Sequence, residues 1–323
     1  MNKDIYVSVW IITYNHKDYI EQCLKSVLSQ VTNFNYEIIV HDDASNDGTT
    51  DIVRQYANKY SNIVPVIQKE NRFSKGEGQT FYRDYLLPVT RGYYIAWCEG
   101  DDYWSDSYKL QKQVDGLQAS NAEYCFHKVD VVDAFSGKII DVFPTCKFQP
   151  SSTGLISKHK FSKIAFHNRI HFSSVMITKS LFEDYANDIP DYALISPVGD
   201  YSFSVFFYYH SSAYYIADSM SVYRRGVPKG WTAENTNSNR QIDELYQKIE
   251  IMLLTAKDHA TIQEGKLIDR VINRYKFGCA LNNGQNILAL KCLFKAGLRE
   301  VGLRNVVRLF IGSVSHLFET GKE

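Results

Sequence analysis

Residues 5–28, "IYVSVWIITYNHKDYIEQCLKSVL", determine the fold, because two different hydrophobic periods follow one another there. Ile5 to Thr13 is a continuous apolar, β-branched run, which is typical of a strand buried on both faces of a parallel sheet. From Ile20 onward, apolar side chains recur every three or four residues, which predicts a helix packed against that strand. Thr13, Tyr14 and Asn15 stand where the strand ends.

The same alternation continues through the first hundred or so residues. Three further runs predict strands, namely "YEIIVHDD" (36–43), "NIVPVIQ" (62–68) and "GYYIAWCEGDD" (92–102). Helical patterns separate them in "TTDIVRQYANKY" (49–60) and "TFYRDYLLPV" (80–89). Strands that alternate with helices predict a doubly wound α/β fold, whose mostly parallel sheet is flanked by helices.

Beyond residue 120 the pattern changes. A hairpin is predicted over 122–143 with its turn near Ser136, and "RIHFSSVMIT" (169–178) and "AYYIADSMSVYRR" (213–225) predict further strands. Between them, 196–210 has helical spacing, which places Asp200 near a helix start, where the helix dipole favours an ionised carboxylate. The chain then becomes helical.

Composition excludes several classes of protein. The 323 residues contain 36 Lys plus Arg and 36 Asp plus Glu, so we expect no nucleic-acid partner. Six cysteines without a CxxC pair indicate neither a zinc knuckle nor a dithiol redox site, and the sequence has no GxxxxGK loop of a Walker-type ATPase. With no signal-peptide pattern and no long apolar run, we expect a cytoplasmic protein.

Carboxylates follow two of the predicted strands. Asp42 and Asp43 end the second strand, and Glu99, Asp101 and Asp102 end the fourth. In doubly wound sheets ligands bind beyond the carboxyl ends of the strands, so these groups should meet in one crevice. Mg²⁺ or Mn²⁺ with a nucleotide diphosphate would offset their mutual repulsion. The alternative is a capped turn with solvated carboxylates.

The stretch "HDDASNDGT" (41–49) suits a second kind of contact. A carboxylate at this strand end can accept from the imide N–H of a nucleobase or from ribose hydroxyls. Asp47 followed by Gly48 is a turn signal, so we assign Asp47 to the turn and Asp43 to the ligand.

Four segments in order carry a resemblance to the nucleotide-sugar glycosyltransferases of family 2, which have the GT-A fold. They are "VSVWIITYNHKDYIEQCLKSVLSQ", "YEIIVHDDASNDGTTDIV", "GYYIAWCEGDDYW" and "VGDYSFSVFF". The resemblance covers residues 5–225. It implies a GT-A-like, Rossmann-type sheet and transfer from a nucleotide-diphosphate sugar, by family usage a UDP-sugar, to a glycan or lipid-linked acceptor in bacterial surface polysaccharide assembly. The competing interpretation is an inactive nucleotide-sugar-binding protein or assembly partner.

The resemblance also implies roles for the strand-end residues. Thr13, with its neighbours Tyr14 and Asn15, would lie against the nucleoside, and Asp43 would bind the uracil ring. Where the family shows D-x-D-D this chain has Glu99, Gly100, Asp101 and Asp102. The family pattern makes Asp101 the principal metal ligand and Asp102 its support. Glu99 replaces the usual Asp, and we place it on the nucleotide.

The family's catalytic base is an Asp that opens a helix on the acceptor side, preceded by Glu or Gly. Here that pair is Gly199 and Asp200. A sugar hydroxyl is a poor nucleophile until a positioned carboxylate takes its proton, which agrees with this role. One base without a second nucleophilic carboxylate indicates single displacement with inversion. The alternative for Asp200 is a simple helix cap.

Four further side chains are weaker candidates. Arg72 and Arg225 are chosen for the diphosphate among several arginines and lysines, most of which are surface charges. His171 and Trp104 are acceptor-side candidates. A hydrogen-bonded structural histidine and a core tryptophan are the alternatives for these two.

We expect a catalytic domain over 1–228, with a nucleotide-sugar half (1–105) and an acceptor half (106–228), and a helical region over 229–323. Between Ile287 and Phe318 the chain is basic: five cations against Glu300 alone give 5 − 1 = +4, the cations being Lys291, Lys295, Arg299, Arg304 and Arg308. An apolar stripe accompanies them at Val307, Phe310, Val314 and Leu317. Two partners are open for this segment, an anionic membrane surface or protein, either the catalytic domain or a second copy.

Overall fold

The structure is a computed structural model that describes residues 4–78, 80–228, 230, 234–297, 301 and 305. The chain divides into two compact units. One comprises Met1–Pro190 with Gly199–Val227, and the other comprises Asp191–Val198 with Pro228–Glu323, each within its described residues.

The first unit begins with the predicted strand–helix alternation. Its first four strands are parallel, in the order β3-β2-β1-β4, and they are β1 (Ile5–Thr13), β2 (Asn35–Asp42), β3 (Ile63–Ile67) and β4 (Tyr94–Glu99). Helices α1 (Ile20–Leu28) and α2 (Thr49–Lys59) lie between them in sequence. A π-helical turn, Tyr82–Leu86, and a 3₁₀ turn, Leu87–Val89, form the predicted short helix before β4. The α/β prediction is confirmed.

Burial of the apolar run explains why β1 is central. Val7, Val9 and Ile11 are fully buried and belong to one core cluster with Cys23 and Leu24 of α1. Each such side chain stabilises the fold by about 1.5–3 kcal/mol relative to an exposed position. The helical spacing read in the sequence is therefore the face of α1 that covers the sheet.

The same sheet continues through shorter strands in the order β4-β9-β6-β10-β5, with β7 on β6 and β8 on β10. The strands are β5 (Tyr103–Trp104), β6 (Tyr124–Asp133), β7 (Ile139–Phe143), β8 (Gly154–Leu155), β9 (Met176–Thr178) and β10 (Ala213–Arg225). β9 is antiparallel to both neighbours, whereas β10 is parallel to β6. The predicted hairpin is the antiparallel pair β6–β7.

Helices cover this part of the sheet. They are α3 (Lys109–Ser120), α4 (Lys158–Phe166), α5 (Lys179–Asn187) and α7 (Gly199–His210). α7 begins at Gly199 and has Asp200 in its first turn, as the spacing predicts.

One strand prediction is largely wrong. Of residues 169–178 only Met176–Thr178 form a strand, because Phe172–Ser174 form a 3₁₀ turn. His171 precedes that turn, and the Ser174 hydroxyl donates to the His171 carbonyl at 2.6 Å. Such local side-chain hydrogen bonds compete with strand pairing.

The described residues of the second unit include four helices. They are α6 (Asp191–Leu194), α8 (Asn239–Ala256), α9 (Ile262–Asn282) and α10 (Asn286–Ala296). A capping box of Thr261 and Glu264 starts α9. No helix within the described residues has the length and apolar character needed to cross a bilayer. The remaining cations and the apolar stripe of the predicted basic segment, at 299, 304, 307, 308, 310, 314 and 317, lie outside the described residues.

Candidate active site

The register of the sheet brings three strand ends level. Thr13 of β1 pairs with Asp42 of β2, and Ile12 pairs with Glu99 of β4. The chain after Glu99 passes so close to β1 that a Cβ on Gly100 would lie 2.6 Å from the Thr13 hydroxyl oxygen. Only glycine allows this approach, so the acidic loop starts directly against the end of β1.

A cluster of two carboxylates and one imidazole forms beyond β4. The His171 Nε2 atom lies 3.4 Å from Glu99 Oε2 and 3.7 Å from Asp102 Oδ2. One ligand atom from each of the three residues can be chosen so that the three atoms lie within 4.8 Å of one another, which suits a shared metal ion. Carboxylate and imidazole donors together suit Mn²⁺, whereas Mg²⁺ prefers oxygen alone.

Asp102 supplies a direct test of whether a cation fits. Its side chain is fully buried, and Oδ2 makes no hydrogen bond within the described residues. A buried carboxylate oxygen without a partner is costly, and a cation would offset that cost. Burial, followed by repulsion from Asp101 and Glu99, raises the pKa of Asp102 well above its usual range. The residues present therefore fit a divalent ion, because its charge would oppose each of these effects.

His171 is neutral in this environment. Burial, with a smaller effect of Arg225, lowers its pKa to about 3. Nδ1 lies 2.9 Å from the Ser173 hydroxyl oxygen and 3.3 Å from the Ser173 backbone nitrogen. The Ser173 backbone N–H donates to Nδ1, so in this tautomer Nε2 carries the proton and faces Glu99 and Asp102. Metal binding at Nε2 would require the other tautomer, in which Nδ1–H donates to the Ser173 hydroxyl oxygen.

Asp101 is not brought into this cluster. Its Oδ2 lies 3.8 Å from His16 Nε2, on the side of the loop that faces β1. Of the two predicted metal ligands, the structure brings only Asp102 into the cluster, and Glu99, predicted to contact the nucleotide, joins it there. Asp101 as principal ligand therefore stays a prediction.

Asp200 lies in the first turn of α7. Its Oδ1 is buried and makes no hydrogen bond within the described part of the chain. Burial raises its pKa to about 6, against the opposing effect of the backbone N–H groups of Tyr201 and of Asp200 itself. The charge of Asp200 also helps to raise the pKa of Glu99, after burial and Asp101, so the two carboxylates lie within electrostatic reach of each other. A carboxyl group of this kind can act as a general base near neutral pH.

The predicted nucleotide-side residues gather around a second strand end. Both carboxylate oxygens of Asp43 accept backbone N–H groups, from Arg72 at 2.7 Å and Phe73 at 3.1 Å. Asn15 Oδ1 accepts from the Asn46 backbone at 2.9 Å, and Tyr14 beside it is exposed. A carboxylate has about four lone-pair positions, so Asp43 can still accept from a nucleobase.

Asp47 holds the turn that precedes α2, the structural role assigned to it. It accepts from the backbone N–H groups of Lys17 at 3.0 Å and Thr49 at 2.9 Å. Gly48 has a positive φ of 105°, as a turn at this point requires.

The two candidate arginines have acidic partners within the chain. Arg72 Nη1 lies 3.5 Å from Glu77 Oε1, and Arg225 Nη2 lies 3.4 Å from Asp141 Oδ2. Their assignment to the diphosphate stays a prediction, since binding there would exchange these partners for phosphate.

Trp104 lies in the protein core. It is 4% exposed and lies in the core cluster, and the ammonium of Lys109 covers its ring at 3.9 Å from the centroid. The core alternative is correct for this residue, because β5 inserts it beneath the sheet edge, next to β10.

Comparison with known proteins decides the family. The model of "Glycosyl transferase family 2" matches residues 8–174, which is more than half of the 323 residues. The chain belongs to glycosyl transferase family 2. Of the curated proteins in or near this family, the uncharacterized protein Rv1520 of Mycobacterium tuberculosis is 38% identical over 127 residues, which are 39% of this chain and 36% of that protein.

The name of a second relative states an activity. The Escherichia coli protein WfaP, named UDP-Glc:alpha-D-GlcNAc-diphosphoundecaprenol beta-1,3-glucosyltransferase, is 35% identical over 120 residues, 37% of this family 2 chain and 44% of WfaP. The match therefore spans less than half the length of these curated relatives.

Solved structures show the same fold. S. aureus TarS 1–349 in complex with UDP-GlcNAc has a TM-score of 0.63 at 19% identity and covers 96% of this chain and 88% of TarS. The mannosyltransferase PcManGT from Pyrobaculum calidifontis, in complex with GDP-Man and Mn²⁺, has a TM-score of 0.55 at 17% identity, with 98% and 81% covered. This family 2 chain has the GT-A fold.

Arg224 is the main residue that the sequence did not single out. Its backbone N–H donates to Asp102 Oδ1 at 3.0 Å, and its guanidinium donates to the Asp101 carbonyl and, at 2.6 Å, to Gln22 Oε1. It thus fixes the acidic loop of this family 2 site from the far edge of the sheet. The sequence offers one signal for it, the pair of arginines at the end of the last strand. Of that pair, we select Arg225 from the sequence, for the diphosphate.

Proposed function

We propose that this chain is an inverting, divalent-metal-dependent glycosyltransferase that moves a sugar from a nucleotide-diphosphate donor, a UDP-sugar, to a hydroxyl of a glycan or lipid-linked acceptor. One observation carries the proposal: Glu99, Asp102 and His171 gather ligand atoms that could hold a metal ion, and the charge of Asp200 acts on Glu99. Family membership supports the reaction class.

The proposed chemistry assigns a role to each of five side chains. Glu99, Asp102 and His171 would hold Mn²⁺ or Mg²⁺, which neutralises charge on the departing diphosphate when bound. Asp43 would accept from the nucleobase. Asp200 would take the proton of the attacking hydroxyl as it displaces the nucleotide. With Glu99 and Asp102 committed to the cation, the site supports direct displacement with inversion.

Surface polysaccharide biosynthesis is the setting we propose. WfaP acts, by its name, on a lipid-diphosphate acceptor with UDP-glucose, and TarS was solved with UDP-GlcNAc. We assign donor binding to residues 1–105 and acceptor binding to residues 106–228. The helical region over 229–323 would follow this catalytic domain as a separate part of the chain. The alternative, an inactive nucleotide-sugar-binding protein or assembly partner, gives no role to the buried Oδ1 oxygen of Asp200.

A donor screen tests the proposal. The protein is incubated with a panel of UDP-, GDP- and dTDP-sugars, with Mn²⁺ or Mg²⁺, and release of nucleoside diphosphate is measured. We expect slow donor hydrolysis with a UDP-sugar and Mn²⁺, abolished by EDTA and restored by added metal. Binding of UDP-sugar without any release, also in the presence of lipid-linked glycan acceptors, would favour the inactive alternative.

The exposed face of α10 supports a membrane partner. Five neighbouring side chains on this face are exposed, three of them large and apolar, and they are Ile287, Leu288, Lys291, Phe294 and Lys295. Phe294 and Ile287 are 84% and 75% exposed. Apolar side chains interspersed with lysines, and without an acid on the same face, suit an anionic bilayer surface, where lysine stems lie along the acyl boundary. A second copy of the chain is the other partner for this face.

Liposome flotation separates these partners. The double variant Ile287→Ser/Phe294→Ser is expected to lose most of its flotation with phosphatidylglycerol vesicles, because it removes the most exposed apolar groups. Ile262→Ser, which removes an 81% exposed isoleucine from α9, is the matched control. Unchanged flotation together with a dimer that dissociates in the double variant would assign the face to a second copy.

A further inference from the structure

The three proposed metal-binding residues come from two separate segments of the chain. Glu99 and Asp102 lie on the loop after β4, and His171 opens the 3₁₀ turn Phe172–Ser174, about seventy residues later. A metal site needs its ligand atoms held to within about 0.5 Å, so the distance between the two segments must be fixed by other contacts. Two buried polar residues of α3, Lys109 and Gln113, lie between them.

Lys109 contacts the acidic loop. It is fully buried, and its Nζ lies 3.9 Å from the ring centroid of Trp104, two residues after Asp102. Lysine is almost never fully buried without a partner, and burial here lowers its pKa to about 7. A methionine or leucine would fill the same space without that cost. The ammonium is therefore in the core for its specific contacts, which are the Trp104 ring and one hydrogen bond.

That hydrogen bond leads to the second segment. Lys109 Nζ donates to Gln113 Oε1 at 2.7 Å, one helical turn along α3. Gln113, also fully buried, donates from Nε2 to the carbonyl of Ser174 at 2.9 Å. The two side chains thus form a continuous polar bridge from the loop that carries Asp102 to the turn that carries His171.

The turn transmits this contact to the imidazole. Ser174 Oγ donates to the His171 carbonyl at 2.6 Å, and Ser173 Oγ lies 2.9 Å from His171 Nδ1 and 3.0 Å from Ser221 Oγ. A shift of the Ser174 carbonyl therefore moves the residue that orients His171. Partners of this kind around metal ligands affect metal affinity because they fix ligand orientation.

We infer that Lys109 and Gln113 are positioning residues of the metal site, which set the distance between His171 and the carboxylates Glu99 and Asp102. The inference rests on the proposed metal-dependent function. Neither residue touches the ion or the substrate; Gln113 acts through the Ser174 carbonyl and Lys109 through Trp104.

Mn²⁺ binding tests the inference without any turnover. Free Mn²⁺ is measured by EPR during titration of the full chain in the presence of UDP. Gln113→Leu is expected to weaken Mn²⁺ binding about tenfold or more, since it removes the amide that holds Ser174. Gln118→Leu makes the same change on the exposed side of α3 and is expected to bind as wild type.

A second variant guards against general destabilisation. Gln113→Glu keeps an acceptor for Lys109 but loses the donor to Ser174, so it is expected to lose Mn²⁺ affinity as Gln113→Leu does. Lys109→Met should weaken binding as well, and the double variant Lys109→Met/Gln113→Leu should lose less than the sum of the two effects, because they form one bridge. UDP affinity without metal should stay unchanged in all of them, which a loss of fold would not allow.

The outcomes separate the two proposals. Wild-type Mn²⁺ affinity in Gln113→Leu and Gln113→Glu, together with lost affinity in His171→Ala, would overturn the positioning roles and leave the metal site intact. No Mn²⁺ binding by the wild-type chain would overturn the metal site itself and the inference with it.

Discussion

Replacing Asp200 by asparagine is expected to lower kcat for sugar transfer about 10³-fold while leaving donor and Mn²⁺ affinity within about twofold, the usual range for a lost general base being 10²–10⁴. The amide has nearly the same shape and cannot accept the proton of the acceptor hydroxyl. Steady-state rates with saturating UDP-sugar and acceptor, compared with donor binding by calorimetry, give the two quantities. Transfer at the wild-type rate would remove Asp200 from the base role.

The pH dependence of the wild type provides an internal control. Because the pKa of Asp200 is raised to about 6, kcat/KM should increase as pH rises through about 6 and then level off. The residual activity of the Asp200→Asn variant should lack this limb. A profile that keeps the limb in the variant would assign it to another group.

Stability separates this loss from unfolding. A carboxyl whose folded-state pKa is raised binds its proton more tightly in the folded protein, so stability falls as pH rises from about 4 to about 6. The rise of the Asp200 pKa to about 6 corresponds to a loss of at most about 3 kcal/mol in the free energy of unfolding at neutral pH. The asparagine variant is free of this cost and should unfold at the same or a higher temperature at neutral pH.

Asp102→Asn is expected to weaken Mn²⁺ binding at least about 10²-fold and to lower kcat/KM at limiting metal by a similar factor. It replaces the buried, unpartnered carboxylate oxygen that faces His171 by a neutral group. Initial rates over a range of Mn²⁺ concentrations, with EPR of the free ion, measure both effects.

Asp101→Asn is the matched comparison for this prediction. It makes the same chemical change one residue earlier, in a side chain that faces His16 instead of the cluster. We expect Asp101→Asn to weaken Mn²⁺ binding about tenfold or less, because the Asp101 charge acts on the ion without coordinating it. If Asp101→Asn loses more Mn²⁺ affinity than Asp102→Asn, Asp101 is the principal ligand, as the family pattern implies.

The first half of the fold was predictable because its signals are local. Continuous apolar runs at β1, β2 and β4 alternate with helical spacing, and each strand pairs in parallel with a neighbour that the α/β rule expects. The convergence of Thr13, Asp43 and Glu99 at the strand ends follows from the same rule, because parallel strands end at one edge.

Long-range pairings explain what the sequence could not supply. Residues 169–178 have the apolar content of a strand, but Ser173 and Ser174 bond locally and place His171 against a loop about seventy residues away. The sequence also does not show which residues of β10 face the acidic loop, because the register of β10 with β6 is irregular between Ile216 and Ser221. Alternation therefore could not tell that Arg224, and not Arg225, meets Asp102.

The place of β9 in the sheet has a consequence for how the protein is made. Strands β1 to β4 complete their parallel pairings within the first 99 residues, whereas β6 and β10 reach them only through the three residues of β9. During synthesis, the first layer can form on the ribosome long before Met176 emerges, because its contacts are close in sequence. His171 and Arg224 are synthesised after the carboxylates that they contact. The nascent chain therefore acquires the parallel part of its sheet before His171 completes the set of proposed metal ligands, and a partial product of translation that ends before β10 still lacks Arg224, which holds the acidic loop.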